Sequence, residues 1–276
     1  MTLARFCKTH ADMSNILHHT IKGSGKPLVL IHGWSMHAGV WQGFSDKLAK
    51  HCMVIETDLR GHGNSRVMKG PHTFEQYARD VIALLEHLDL RDAAILGWSM
   101  GASIILKMYE LGYKGKSPLV MVSANPSLIQ RDNYESGLVP VIVKRLIKQL
   151  QRDYQLGLNA FLNLLCTAEE HKRCKGDAAY QSAMDTTTCP DPNAALSTLT
   201  CLQNEDLRPS IERIAAPALI VHGECDEICL SSGGRYLYNT IPNAQMLMLP
   251  NTGHTPFITS RERVMEEILN FLPGVA

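Results

Sequence analysis

The chain has 276 residues and no formal net charge, because Lys plus Arg and Asp plus Glu each number 27. This length suffices for one large domain, and the zero balance disfavours chain-wide attraction to nucleic acid or to an anionic membrane. With 45% hydrophobic and 20% charged residues, the composition is that of an ordinary globular protein rather than a disordered or fibrous one.

The N-terminal segment does not have the pattern of an export signal, because Arg5, Lys8, His10 and Asp12 are not followed by an apolar run. No stretch approaches the roughly 18 apolar residues that a membrane helix needs, so we expect a cytoplasmic protein with no membrane partner. The eight cysteines include no C-x-x-C pair, and without export they are expected to be reduced packing residues.

Apolar runs alternate with helical patterns along the first half of the chain. This alternation predicts a mostly parallel sheet covered by helices on both faces. The predicted strands are 15–21, 27–31, 53–57, 93–96 and 119–122, and the predicted helices are 40–50, 73–88 and 102–111. The glycine-rich stretch 58–65 lacks the G-K-[ST] ending of a phosphate-binding loop, and we interpret it as a structural turn.

The alternation stops after residue 125. Residues 126–200 have helical patterns and no convincing strand, whereas strands return at 218–221 and 245–249 before a closing helix at 261–272. The sequence therefore predicts an α/β core in two parts, 15–125 and 201–276, with a helical cap at 126–200 inserted between them.

Gly97-Trp98-Ser99-Met100-Gly101 is a G-x-S-x-G pentapeptide between a predicted strand and a predicted helix. This context is typical of a nucleophile elbow, a strained turn that exposes a serine hydroxyl. Ser99 is therefore the candidate nucleophile.

A nucleophilic serine needs a base, and a base needs an orienting acid. In folds with this elbow the chain order is serine, acid, histidine. His254 is late in the chain and lies in a loop after the last predicted strand. Asp226 follows the strand at 218–221, and Glu224 and Glu227 are its near competitors.

The oxyanion of an acyl-transfer reaction needs backbone N–H donors. We expect one from Met100, directly after the nucleophile, and one from Trp34, in the loop after an early strand. His32 in the same loop is expected to brace the backbone rather than act as a base. His18 and His19 are disfavoured as metal ligands, because neighbouring residues of a strand point to opposite faces, and no metal or cofactor is expected.

Together these motifs resemble the α/β-hydrolase superfamily over nearly the whole chain from Asn15 onward. The motifs that carry the resemblance are His32-Gly33-Trp34, residues 58–65, residues 97–101, Asp226 and Gly253-His254. The resemblance implies a serine hydrolase that works through an acyl-enzyme.

Finer features resemble the family of pimeloyl-acyl-carrier-protein methyl ester esterases of biotin synthesis. They are residues 15–25 followed by His32-Gly33-Trp34, Trp98 before the serine, residues 254–258, and Arg131-Asp132. The resemblance implies cleavage of a methyl ester from a carrier-bound pimeloyl chain. Arginines in that family's cap hold the acidic carrier protein, but Leu156 and Asn159 stand where arginines would be expected here.

The candidate substrate contacts are Trp34, Trp98 and Phe161. Basic residues of a cap helix are candidates for docking an acyl carrier protein: Lys144, Arg145, Lys148 and Arg152. Three of them are spaced by four and share a helical face, although a solvated amphipathic helix has the same pattern. Two other functions stay open: a general hydrolase of small esters or thioesters, and a ligand-binding receptor on the same fold.

Overall fold

The computed structural model describes residues 16–90, 92–185 and 190–274. Within these ranges a seven-stranded sheet has the order β1-β3-β2-β4-β5-β6-β7. Its strands are β1 (His19–Lys22), β2 (Pro27–Ile31), β3 (Met53–Thr57), β4 (Ala94–Trp98), β5 (Leu119–Val122), β6 (Ala218–Gly223) and β7 (Ala244–Leu249). Only β1 pairs antiparallel, with β3, and the other pairs are parallel. The predicted mostly parallel sheet is confirmed.

The described helices alternate with the strands on both sides of an insertion. They are α1 (Phe44–Leu48), α2 (Phe74–His87), α3 (Met100–Glu110), α4 (Pro140–Arg152), α5 (Tyr154–Leu162), α6 (Ala168–Cys174), α7 (Ala178–Met184), α8 (Pro192–Asn204), α9 (Arg208–Ile211), α10 (Ser231–Thr240), α11 (Pro256–Thr259) and α12 (Arg261–Phe271). Among the described residues, no helix is both long enough and apolar enough to cross a membrane.

Helix α2 shows why the local sequence patterns succeed. The Thr73 hydroxyl accepts a hydrogen bond from the backbone N–H of Gln76 at 3.2 Å, as expected for an N-cap. Apolar side chains that recur at helical spacing are all buried, namely Phe74, Tyr77, Ala78, Val81, Leu84 and Leu85. These side chains are buried on the helix that packs against α3.

Two local predictions differ from the structure. The helix predicted at 40–50 is divided into a 3-10 turn (Ala38–Trp41) and α1, because Gly43 between them has a φ of +75°. Helix α10 was missed, since Gly233 and Gly234 argue against a helix. A Cβ at these positions would lie 2.8 Å from the Asn125 side chain and 2.3 Å from His222 Nδ1, so packing requires the glycines.

The described residues between β5 and β6 form helices α4 to α9 and isolated bridges, and we call this segment the helical insertion. Helix α4 packs against both α5 and α8. Helix α8 continues to Asn204, past the predicted end of the cap at residue 200. The division at 15–125, 126–200 and 201–276 stays a prediction.

Several residues used in the sequence analysis lie outside the described ranges: Arg5, Lys8, His10, Asp12, Asn15, Cys7 and Cys189. The other cysteines are free thiols, namely Cys52, Cys166, Cys174, Cys201, Cys225 and Cys229.

Candidate active site

Ser99 lies on the turn that joins β4 to α3, and its backbone is strained. Its φ of 53° and ψ of −115° are uncommon for a residue with a side chain. The turn is possible because its neighbours are glycines. A Cβ at Gly97 would lie 2.6 Å from the Ala102 nitrogen, and one at Gly101 would lie 2.2 Å from the Ile31 oxygen. This geometry places the serine beyond the carboxyl end of the sheet.

His254 lies in the loop between β7 and α11, and its ring is completely buried. Its Nδ1 lies 2.7 Å from Asp226 Oδ2. The backbone N–H of His254 donates to the Leu165 carbonyl at 2.9 Å, and its own carbonyl accepts from Trp98 Nε1 at 2.8 Å. Its Nε2 is buried and has no hydrogen-bond partner among the described residues. With the Nδ1 proton shared with a carboxylate, Nε2 carries the lone pair that a base needs.

Asp226 follows β6 and orients this histidine. Its Oδ1 accepts hydrogen bonds from the backbone N–H groups of Ile228 and Cys229, both at 2.9 Å. Burial by itself would raise the pKa of Asp226, but the facing His254 and His222 hold that pKa well below its usual range. The carboxylate therefore stays ionised beside the imidazole.

The competing carboxylates have different surroundings. Glu224 and Glu227 are both exposed, and the nearest cation to Glu224 is Arg235, at 3.9 Å. Among these three candidates, the hydrogen bond to His254 belongs to Asp226.

Sequence reasoning missed two residues next to this group. His222 on β6 places its Nε2 2.7 Å from the Cys229 carbonyl oxygen and 3.4 Å from Asp226 Oδ2. Cys229 is 4% exposed, and burial raises the pKa of its thiol well above the usual range. The only sequence signal was proximity, since both lie within four residues of Asp226.

The two predicted oxyanion donors lie at adjacent loops. Met100 is the first residue of α3, where backbone N–H groups have no acceptor within the helix and the helix dipole favours negative charge. Trp34 follows β2, which pairs with β4, so both loops leave the same edge of the sheet. The Trp34 indole donates to the Ala195 carbonyl at 2.8 Å, which anchors the loop to α8.

His32 braces the loop next to Trp34. Its Nε2 accepts from the Leu59 backbone N–H at 3.0 Å, and its Nδ1 faces the Gly33 carbonyl at 2.9 Å. Burial lowers the pKa of His32 to about 3, so the ring is neutral at ordinary pH. Asp58 braces the 58–65 turn in a similar way, with its carboxylate accepting from the Ala38 and Asn64 N–H groups. These contacts support the interpretation of both segments as structural.

A cavity of about 260 Å³ opens at Ser99 between the sheet edge and the helical insertion. Its wall is mostly apolar, and the rings of Trp34 and Phe161 meet edge to face there, 4.6 Å between centroids. The polar lining is contributed by Arg145 and Gln149 of α4 and by Glu227.

Trp98 does not line this cavity. Its ring is 1% exposed and packs against His254, Phe257 and Trp41. The structure therefore places Trp98 behind the histidine, where it supports the site, and not where the predicted substrate contact would require it.

The four predicted docking residues of α4 are all exposed: Lys144, Arg145, Lys148 and Arg152. Exposed apolar side chains stand beside them, with Val139, Val141 and Ile142 each 46–47% exposed.

Arg131, in contrast to these exposed cations, is held by hydrogen bonds. Its guanidinium donates to Ser127 Oγ and to the carbonyls of Gln203 and Glu205, which ties the start of the insertion to its end.

Comparison with known proteins agrees with this architecture. A family model described as the alpha/beta hydrolase fold matches residues 26–260. A pimeloyl-[acyl-carrier protein] methyl ester esterase of Nitrosomonas europaea is 29% identical, with 90% of this chain and 96% of the relative covered. The protein of the same name from Vibrio cholerae is also 29% identical, with 94% and 99% covered.

Solved structures show the same fold. An esterase from Exiguobacterium antarcticum superposes with a TM-score of 0.83 at 24% identity, covering 92% of this chain and 94% of that one. An esterase from a Rhodococcus species has a TM-score of 0.77 at 25% identity, with 94% and 95% covered.

Proposed function

Because this chain belongs to the α/β-hydrolase fold family, we propose that it is a carboxylic ester hydrolase with Ser99 as nucleophile, His254 as general base and Asp226 as the orienting acid. One observation carries the proposal: a strained, glycine-flanked serine lines a cavity, and a buried histidine in the loop after β7 has its Nδ1 2.7 Å from a buried carboxylate and its Nε2 without a hydrogen-bond partner among the described residues. A serine hydroxyl is a weak nucleophile, and this arrangement is what activates it.

In the first half of the reaction, His254 Nε2 accepts the Ser99 hydroxyl proton while Oγ attacks the ester carbonyl carbon. The imidazolium that forms is stabilised by the ionised Asp226. The oxyanion is held by the backbone N–H groups of Met100 and Trp34. His254 then returns the proton to the departing alkoxide, which leaves as the alcohol, and the acyl group stays on Ser99.

In the second half, a water molecule gives its proton to His254 Nε2 and attacks the acyl-enzyme carbonyl. The same N–H groups hold the second oxyanion. When this intermediate collapses, the proton passes to Ser99 Oγ, the carboxylic acid departs and the enzyme is restored. No cofactor or metal takes part in either half.

The substrate that we propose is a methyl ester of a pimeloyl chain carried on acyl carrier protein, cleaved in biotin synthesis. The relatives named above support it, because pimeloyl-acyl-carrier-protein methyl ester is the ester in their names. The cavity supports it as well, since its Trp34 and Phe161 walls suit an unbranched apolar chain and Arg145 offers a cation at α4. A substrate on a carrier of this kind places the reaction in the cytoplasm.

We also assign the carrier's docking surface to α4. Lys144, Lys148 and Arg152 are exposed, and Arg145 is both exposed and part of the cavity lining. Exposed cations on a helix that also lines the cavity would steer an acidic carrier toward the serine, a contribution that acts mainly on association rate.

A general esterase of small esters is the second candidate. Leu156 of α5 is 48% exposed and Asn159 follows on the same helix, so positions expected to carry arginines offer no positive charge. This observation favours a weaker carrier requirement and leaves the serine chemistry unchanged.

Complementation tests the proposal. A biotin-requiring bacterium that lacks its own esterase should grow without biotin when it expresses this chain, and should not grow with the Ser99→Ala variant. Turnover of short p-nitrophenyl esters without rescue would support the general esterase. Tight ligand binding with no turnover of any ester would indicate a receptor and contradict the proposal.

A further inference from the structure

The helical insertion contacts the loop of His254 directly, through a buried carboxylate. Glu170 of α6 is 0% exposed. Its Oε2 accepts a hydrogen bond from the backbone N–H of Gly253 at 2.9 Å, and a second one from the Thr167 N–H at 2.9 Å. Its Oε1 is buried and has no hydrogen-bond partner among the described residues.

Two further hydrogen bonds join the loop of His254 to the helical insertion. The carbonyl of Leu165 accepts from the His254 N–H at 2.9 Å, and the Cys166 thiol lies 3.1 Å from the Thr255 hydroxyl. Residues 253, 254 and 255 are therefore each bonded to the short segment 165–170. In one of these bonds the Gly253 N–H donates to the Glu170 carboxylate, and a charge-assisted bond of this type is roughly twice as strong as a neutral one.

Helix capping alone does not explain why the Glu170 side chain is buried. In a capping box the acidic side chain only has to reach back to the N-cap N–H, and Glu170 does so with the Thr167 N–H. Such a residue can lie at the surface, whereas burying a carboxylate with one oxygen unpaired is costly. The backbone of the loop has also adapted to it, since a Cβ at Gly253 would lie 3.0 Å from Glu170 Oε2.

We infer that Glu170 is a positioning residue that holds the loop of the catalytic histidine from the helical insertion. The inference rests on the proposed role of His254 as general base. Glu170 contacts the loop and not the substrate cavity, because it is absent from the cavity lining while Ser99 is part of it. Its loss should therefore lower kcat through a displaced imidazole and leave KM nearly unchanged.

The test uses the full chain with a small soluble p-nitrophenyl ester. In Glu170→Ala the Gly253 N–H loses its acceptor, and kcat should fall about 10- to 100-fold, as expected for a displacement of about 1 Å. Glu170→Gln keeps an oxygen that can accept this bond and should restore most of kcat. Glu170→Asp keeps the charge but withdraws the acceptor by one methylene, so its kcat should lie below that of the Gln variant.

Thr167→Ala is the matched control, because it removes the hydroxyl that caps α6 and spares the bond from Glu170 to Gly253. It should lower Tm without lowering kcat. If Glu170→Ala does not fold, the inference is tested by whether kcat of Glu170→Asp lies below kcat of Glu170→Gln.

Three results would overturn the inference: a kcat for Glu170→Asp equal to or above that of Glu170→Gln, equal kcat values for Glu170→Ala and Thr167→Ala, or a change confined to KM. A failure of the proposed function is distinguishable from these results: His254→Ala would keep the wild-type rate, or a fluorophosphonate would not label Ser99.

Discussion

The sheet and the helical insertion differ in how far their apolar side chains are exposed. Strands β2, β4 and β5 are buried almost throughout, and their apolar residues serve only packing. At the start of α4 in the insertion, Val139, Val141 and Ile142 are nearly half exposed, and exposed cations follow them along the helix. A parallel sheet covered on both faces can hold the proposed catalytic groups rigidly, whereas a helix with exposed apolar and cationic residues has the composition expected of the carrier-docking surface that we propose.

This contrast predicts where substitutions act. Changes at the carboxyl edge of the sheet should abolish reaction on every ester, because that edge carries the proposed nucleophile, base and acid. Changes on the outer face of the insertion should alter which ester is used. The following experiments test that division, from the largest expected effect to the smallest.

Ser99→Ala should remove nearly all turnover and leave the fold intact. Losing the nucleophile typically costs on the order of 10⁴ to 10⁶ in kcat. Steady-state kinetics on a carrier-bound ester and on a small ester should show the same loss. Ser103→Ala, one turn further along α3 and also buried, is the control and should keep its activity. Fluorophosphonate labelling at any residue other than Ser99 would contradict the assignment.

Asp226→Asn should lower kcat by about 10⁴, because the amide favours the wrong tautomer of His254. Glu224→Gln and Glu227→Gln are matched controls on the same loop, and both side chains are exposed. Their kcat values on a small ester should stay close to wild type. A larger loss in Glu224→Gln than in Asp226→Asn would transfer the role of the acid to Glu224.

Acid should destabilise the folded protein. Burial lowers the pKa of His32 and of His62 to about 3 in the folded chain, against an ordinary value of 6.5. Below pH 6.5 these two imidazoles are protonated in the unfolded chain but stay neutral in the folded chain. The free energy of unfolding therefore falls as pH drops from about 6.5 toward 3. Above pH 6.5 this stabilisation is fully present.

Urea denaturation at pH 7.5 and pH 5 measures this effect. His62→Gln removes one of the two groups and should make the free energy of unfolding less dependent on pH. An equal or steeper dependence in this variant would show that other groups cause the acid instability.

Lys144→Glu combined with Lys148→Glu should raise KM for an acyl-carrier substrate several-fold and leave kcat/KM for a small ester unchanged. Exposed charges act mainly on association, and they are screened beyond about 8 Å at physiological ionic strength, so the effect should fade as salt is added. Lys114→Glu with Lys116→Glu, an equal charge change on the exposed core surface, is the control. Equal losses on both substrates would indicate a damaged insertion, and no loss on either would leave α4 as a solvated helix.

Much of this architecture could be predicted from local sequence. The strand and helix periods, the glycines around Ser99 and the serine-acid-histidine order each depend on residues that are close together in the chain, or on the order in which elements follow. Backbone geometry and side-chain period act over a few residues, so their signals are readable without a structure. The elbow illustrates this at position 97, because a Cβ there would lie 2.6 Å from the Ala102 nitrogen, only five residues further along the chain.

The remaining features depended on residues that meet only after folding. Glu170 contacts Gly253 across 83 positions of the chain, and Trp98 reaches the His254 carbonyl across 156. Helix α10 formed in spite of its glycines, because those glycines make room for Asn125 and His222. Local propensity is worth about 1 kcal/mol per glycine, less than the cost of such a clash. The sequence therefore determined the elements and the order of the reacting groups, and tertiary packing decided which side chains support them.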